Sequence, residues 1–131
     1  MRVNCVGAIV FDDAGRLLLI QRGRPPGEGL WSLPGGRVDA GETDAEALAR
    51  ELAEETGLRV AAALLAGTVD RPGPSGVTYV IRDYHAVVTG GRLRPGDDAR
   101  DARWCTAADL HTLPLTDGLV TALRSWQALP D

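Results

Sequence analysis

The chain has 131 residues, 44% of them hydrophobic and 24% charged, which gives room for one compact domain spanning residues 1–131 and none for a second. Its net charge of −4 is concentrated, with seven of the 18 acids and only two of the 14 arginines between residues 36 and 58, so neither a basic nucleic-acid surface nor a generally acidic disordered chain fits. No run is long enough to span a bilayer, the opening MRVNCVGAIVF lacks the features of a secretory signal, and two cysteines are too few for a disulfide scaffold. A cytoplasmic protein with no membrane and no nucleic-acid partner is expected.

Residues 3–11, VNCVGAIVF, form a nearly continuous apolar run, as in a strand covered on both faces, and Asp12, Asp13 and Gly15 supply turn chemistry. Residues 16–22, RLLLIQR, are then expected to return as the second strand of a hairpin. The acidic turn lacks the alternating oxygen ligands and closing glutamate of a calcium loop. GRPPGEG at 23–29 is a loop by composition, and LWSLP at 30–34 fits a short strand leading to Gly35 and Gly36.

Thr43-Asp44-Ala45-Glu46 has the T-x-x-E pattern of a capping box and Gly57 is a good C-terminal stop, so a helix is predicted from about Asp44 to Thr56. At helical spacing Ala45, Leu48, Ala49, Leu52 and Thr56 form the arc that would pack on a sheet, with Glu51, Glu54 and Glu55 on a neighbouring arc. Residues 58–69 and 77–88 read as two long strands joined by DRPGPSG. A loop with four arginines follows at 89–103, then a strand at 103–105 and a single capped helical turn from Thr106. A last helix from Thr116 would turn Leu119, Ala122, Leu123 and Trp126 toward the core and stop at Pro130.

Residues three and four apart on a helix are neighbours, so Glu51, Glu54 and Glu55 repel one another unless something positive lies among them, and Arg50 offsets only part of that. Hard oxygen ligands on a rigid helix suit Mg²⁺, with Mn²⁺ as a substitute, and such ions share their remaining positions with substrate phosphates. Standing alone, a string R-E-L-x-E-E is more often a solvated charged face.

The spacing around it changes that balance. Gly36, Glu42, Arg50, Glu51, Leu52, Glu54, Glu55, Gly57 and Leu58 match every defined position of the Nudix hydrolase signature, G-x5-E-x7-R-E-U-x-E-E-x-G-U with U a bulky aliphatic residue. Seven of those positions demand one residue type each, so a chance match is on the order of 10⁻⁸ per starting position. The stretch therefore resembles the Nudix family, with MutT-related enzymes and ADP-ribose pyrophosphatases among its members.

The resemblance implies an α/β fold, a Nudix-type α/β/α sandwich with a mixed central sheet and a catalytic loop-helix. It implies divalent-metal-dependent hydrolysis of a nucleoside diphosphate linked to another group X, either ADP-ribose-like or a (d)NTP, with release of a nucleoside monophosphate. Glu51, Glu54 and Glu55 would hold the metal, with the Gly35 carbonyl and a loop acid, Asp98 first and Asp101 second, as further ligands. Catalysis would rest on Glu54 and Glu51, either of which can serve as base, and on Arg50, which orients them. Gly36, Glu42 and Gly57 would be structural.

Arg22, Arg24 and Arg71 are candidate phosphate contacts. Trp31 and Tyr79 are candidate stacking partners for a base, with core packing as the alternative for each. Pro72 and Pro74 lie about where ADP-ribose-hydrolysing members carry a proline, although a turn-rich loop would contain prolines anyway. The partner implied is a small-molecule nucleotide, and a homodimer is compatible with the length. The rival reading is a Nudix domain that senses a nucleotide without cleaving it; such a domain is expected to have lost metal-binding glutamates, and this signature has lost none.

Overall fold

A computed structural model describes residues 1–96 and 99–131. Strand β1 (Arg2–Ile9) is buried from Cys5 onward, as its two-sided apolar run requires, and it accordingly lies inside a sheet. That sheet is mixed, with β4 (Gly35–Arg37) antiparallel to β1, β1 parallel to β6 (Thr78–Gly91), and β6 antiparallel to the edge strand β5 (Leu58–Pro72). A second, antiparallel sheet has the order β3 (Trp31–Ser32), β2 (Leu17–Arg22), β7 (Ala99–Cys105).

The expected hairpin of β1 and β2 is corrected by this arrangement. The two segments meet only beside the turn, where Phe11 bridges Leu17 and the Leu18 amide donates to the Val10 carbonyl at 2.9 Å, and then part into different sheets. A strand apolar on both faces gains more from neighbours on both edges, and β1 has eight paired positions with β6 alone. The turn itself is tied by Asp12, whose Oδ1 accepts from the Arg16 amide at 2.8 Å and whose Oδ2 pairs with Arg16 Nε at 2.7 Å.

Helix α1 (Asp44–Thr56) starts and ends where expected, with the Thr43–Glu46 capping box formed and Gly57 in the left-handed conformation at φ 74°. Its buried arc differs from the expected one: Ala47, Leu48, Leu52 and Thr56 are buried, and Ala45 and Ala49 face solvent. The rotation follows from Asp44, which Arg82 of β6 holds with two bonds at 2.6 and 2.7 Å, drawing the first turn down onto the sheet. Leu48 and Leu52 pack there with Val6, Ala8, Val10 and Val60. Truncating either leucine to alanine should cost roughly 2–5 kcal/mol.

The opposite face of the mixed sheet meets the second sheet, α2 (Ala107–Thr112) and α3 (Leu119–Ser125) through Ile9, Leu17, Leu19, Leu110 and Leu123. The result is the expected α/β/α sandwich. Strand β7 begins at Ala99, ahead of the expected 103, because its first residues still find partners on β2. Helix α3 is shorter than expected at both ends. Gly118 is its N-cap, and the chain leaves the helix at Trp126 and Gln127, well before Pro130. Among the described residues no helix is long and apolar enough to cross a membrane.

Candidate active site

Two missing side chains let the loop before α1 approach the helix. Gly35 has φ 152°, and a Cβ there would overlap the Val6 carbonyl oxygen; a Cβ on Gly36 would sit 2.5–2.6 Å from the Glu51 carboxylate. The Gly35 amide donates to Glu55 Oε1 at 2.7 Å, which ties the third glutamate to the same loop.

Arg50 holds the remaining carboxylates. Its Nε and Nη2 donate to both oxygens of Glu42 at 2.8 and 2.9 Å, and its Nη1 reaches Glu51 at 2.9 Å and Glu54 at 3.3 Å. Nη2 also donates to the Arg37 carbonyl at 3.0 Å. The bidentate bond pushes the Glu42 carboxyl down to about 2 and the guanidinium up. Glu51 moves the other way. Burial raises its carboxyl, Arg50 resists, and Glu54 and Asp39 add like-charge repulsion.

Among the described residues no three Asp, Glu, His or Cys side chains form a ready-made ion site. Arg50 bridges Glu51 and Glu54, and Glu55 is drawn to the Gly35 amide, so the carboxylates do not converge. The donor chemistry still fits a hard divalent cation, since all three donors are oxygens, two already gather about one positive centre, and the bare Gly36 leaves Glu51 its room.

A pocket of about 710 Å³ lies beside these groups, within the roughly 300–1,000 Å³ of small-molecule sites. It crosses the full width of the mixed sheet. Gly35 and Gly36 of β4 line it with Glu51 and Glu55; Cys5 and Gly7 of β1, Ile81 and Asp83 of β6, and Val69 and Arg71 of β5 continue it. Ile20, Leu33 and Leu119 give apolar walls, while Arg22, Arg24 and Arg37 also face it.

The structure brings Arg22, Arg24, Arg71 and Tyr79 to this pocket. Arg22 also donates Nε to the Pro26 carbonyl at 2.6 Å, which holds the 23–29 loop in place. Tyr79 sits under Arg37, whose guanidinium carbon is 5.6 Å from the ring centre. Trp31 does not line the pocket. It is 5% exposed within the second core, so of its two readings the packing one describes its position. Asp98 lies outside the described residues. Asp101 is exposed on β7, accepts a bond from the Ala102 amide at 2.8 Å and does not face the pocket.

Sequence reasoning missed Arg37, Thr116, Asp117 and Asp83, all of which line the pocket. Asp83 is the most unusual of them, at 6% exposure. Burial pushes its carboxyl up to about 7, with Arg71 pulling the other way. A signal was available in the two-residue period of β6. Tyr79, Ile81 and Asp83 share the pocket face, while Arg82 and Tyr84 on the other face both bond Asp44 of α1.

The NUDIX domain family model matches residues 1–125. The chain is 45% identical over 131 residues to a Mycobacterium tuberculosis protein named putative 8-oxo-dGTP diphosphatase 2, covering 97% of this chain and 86% of that one. It is 39% identical over 106 residues to a Methanocaldococcus jannaschii protein named ADP-ribose pyrophosphatase, covering 80% of this chain and 61% of that one. Among solved structures, a MutT NUDIX hydrolase from Burkholderia pseudomallei superposes with a TM-score of 0.84 at 35% identity, covering 95% of this chain and 97% of that chain.

Proposed function

The chain belongs to the Nudix family and is a pyrophosphatase acting on nucleoside diphosphate derivatives, and we propose that its substrate is a nucleoside triphosphate, cleaved to the monophosphate and pyrophosphate. The observation that carries this reading is the pocket itself, with oxygen donors and Arg37 at its β4 edge and a mainly apolar floor of Val69, Ile81 and Leu119 that also holds Asp83 and Arg71, which suits a polyphosphate at one end and a base at the other.

Glu51, Glu54 and Glu55, with the Gly35 carbonyl, would hold Mg²⁺ or Mn²⁺, which when bound supplies Lewis-acid polarisation and charge neutralisation at the phosphates. Arg50 keeps Glu51 and Glu54 side by side against their repulsion and fixes α1 to the loop through Glu42. Glu54 is the most open of the glutamates bonded to Arg50, at 43% side-chain exposure, and takes the proton of the attacking water. Arg24 meets the phosphates, and Arg22 shapes the loop that carries it.

A second reading, ADP-ribose hydrolysis, is favoured by one feature. A cleft of about 500 Å³ shares Pro25, Pro26, Arg37, Pro72 and Tyr79 with the pocket and offers room for a second sugar. A Mg²⁺-dependent screen of the (d)NTPs, ADP-ribose and dinucleotides, ranked by kcat/KM, separates the two. Pyrophosphate release from a triphosphate as the best reaction supports the first reading. AMP and ribose phosphate from ADP-ribose as the best reaction replaces it with the second, and undiminished turnover in excess EDTA would sink both.

A further inference from the structure

Asp83 is a nearly buried carboxyl with no protein partner of its own among the described residues. Among the described residues it makes no hydrogen bond and no ion pair within bonding distance, and Arg71 acts on it only through longer-range attraction. No fully enclosed side-chain nitrogen or oxygen in the described residues lacks a partner. The carboxyl of Asp83, which has none, therefore keeps contact with the space of the pocket it lines.

Its surroundings are shaped to keep it there. Asp83 pairs in register with Gly7 of β1, and a Cβ on Gly7 would overlap Asp83 Oδ1, so the carboxyl lies over β1 only because position 7 is glycine. Gly7 in turn pairs with Gly35, whose amide holds Glu55. Gly35, Gly7 and Asp83 thus form one row across three strands, which anchors Asp83 two strand spacings, roughly 10 Å, from the glutamate edge. A nucleoside bound by its phosphates at that edge reaches this far with its base. The apolar residues that line the same pocket, among them Ile81, Val69 and Leu119, suit the flat face of a heterocycle and not a sugar.

Resting on the triphosphate reading above, we propose that Asp83 is a specificity-determining residue whose carboxyl hydrogen-bonds an N–H group on the edge of the substrate's nucleobase. A site that pairs a buried group with a substrate N–H rejects analogues lacking it far more strongly than an apolar wall can. The residue thereby selects among bases while the glutamates treat all triphosphates alike.

The test compares wild type with Asp83→Leu, which keeps the size of the side chain and removes the acceptor, and with Asp83→Ala in case the larger apolar side chain disturbs the fold, across the four bases as ribo- and deoxynucleoside triphosphates. The proposal expects roughly a tenfold or larger fall in kcat/KM for the preferred base, carried by KM, together with a changed ranking of bases and kcat within about twofold. A uniform loss for every nucleotide, a loss that follows only the 2′-hydroxyl, or an unchanged ranking overturns it. Calorimetric binding of the four nucleoside monophosphates to the same proteins reads Asp83 without turnover. If wild type cleaves no triphosphate, the reaction assignment fails by itself, and the monophosphate ranking still decides the role of Asp83.

Discussion

The two ends of the pocket treat their carboxyl groups in opposite ways. At the β4 edge Glu42, Glu51 and Glu54 are gathered by the single guanidinium of Arg50, and the Glu42 carboxyl is pushed down to about 2. At the floor Asp83 has no hydrogen bond among the described residues and is pushed up to about 7. The first arrangement is satisfied before any ligand arrives and serves chemistry common to all nucleotides. The second has no protein partner among the described residues and opens onto the pocket, which is what a group waiting for one particular ligand looks like.

The largest expected effect breaks the chemical end alone. Glu54→Gln keeps shape and removes one charge, and it should lower kcat about a hundredfold or more. Because Glu54 is largely open and its bond to Arg50 is long at 3.3 Å, the melting temperature should move little. Full activity in this variant would remove Glu54 from the mechanism. Arg50→Lys should come next, losing the bidentate bond to Glu42 and the bridge between Glu51 and Glu54 together. Stability should fall by about 1–2 kcal/mol and kcat by about tenfold, because lysine cannot fork. Chemical denaturation and steady-state kinetics on one preparation measure both, and an unchanged kcat would mean that the glutamates need no orienting.

The contrast between the ends also explains what could be read from sequence. The β4 end is built from residues 35–58, contiguous in the chain, so helix periodicity, a capping box and fixed spacing place its side chains before any tertiary contact is known. The floor draws on residues 5, 7, 69, 81 and 83, brought together by a parallel pairing of β1 with β6 that local pattern cannot specify. The failure of the β1–β2 hairpin has the same origin, since the turn was legible and the partner strands were not. Trp31 shows the limit for single residues. An aromatic beside a glycine-rich loop serves stacking or core equally well, and only the packing of Leu17, Leu19 and Leu119 decides.

The smallest effect sets one carboxyl from each end against the other, because the pH signatures of Glu42 and Asp83 have opposite signs. Glu42 is lowered from 4.5 to about 2, so the stability it contributes is present above pH 4.5 and drains away as pH falls toward 2. Asp83 is raised from 3.8 to about 7, so between those values the folded state binds the extra proton and stability falls as pH rises. Below pH 3.8 both states of Asp83 are protonated, and well above 7 both are ionised, so no further change occurs in either region. Asp83→Asn should therefore melt close to wild type near pH 4, gain on it steadily up to about pH 7, and hold a constant lead beyond. Glu42→Gln should lose its deficit only in acid. Arg71, facing Asp83 from β5, reduces the first effect, so Arg71→Ala should widen the gap between Asp83→Asn and its parent. Melting curves of these proteins from pH 3 to 8 test the pattern, and parallel curves for wild type and Asp83→Asn would mean that Asp83 is not held as an unsatisfied acid.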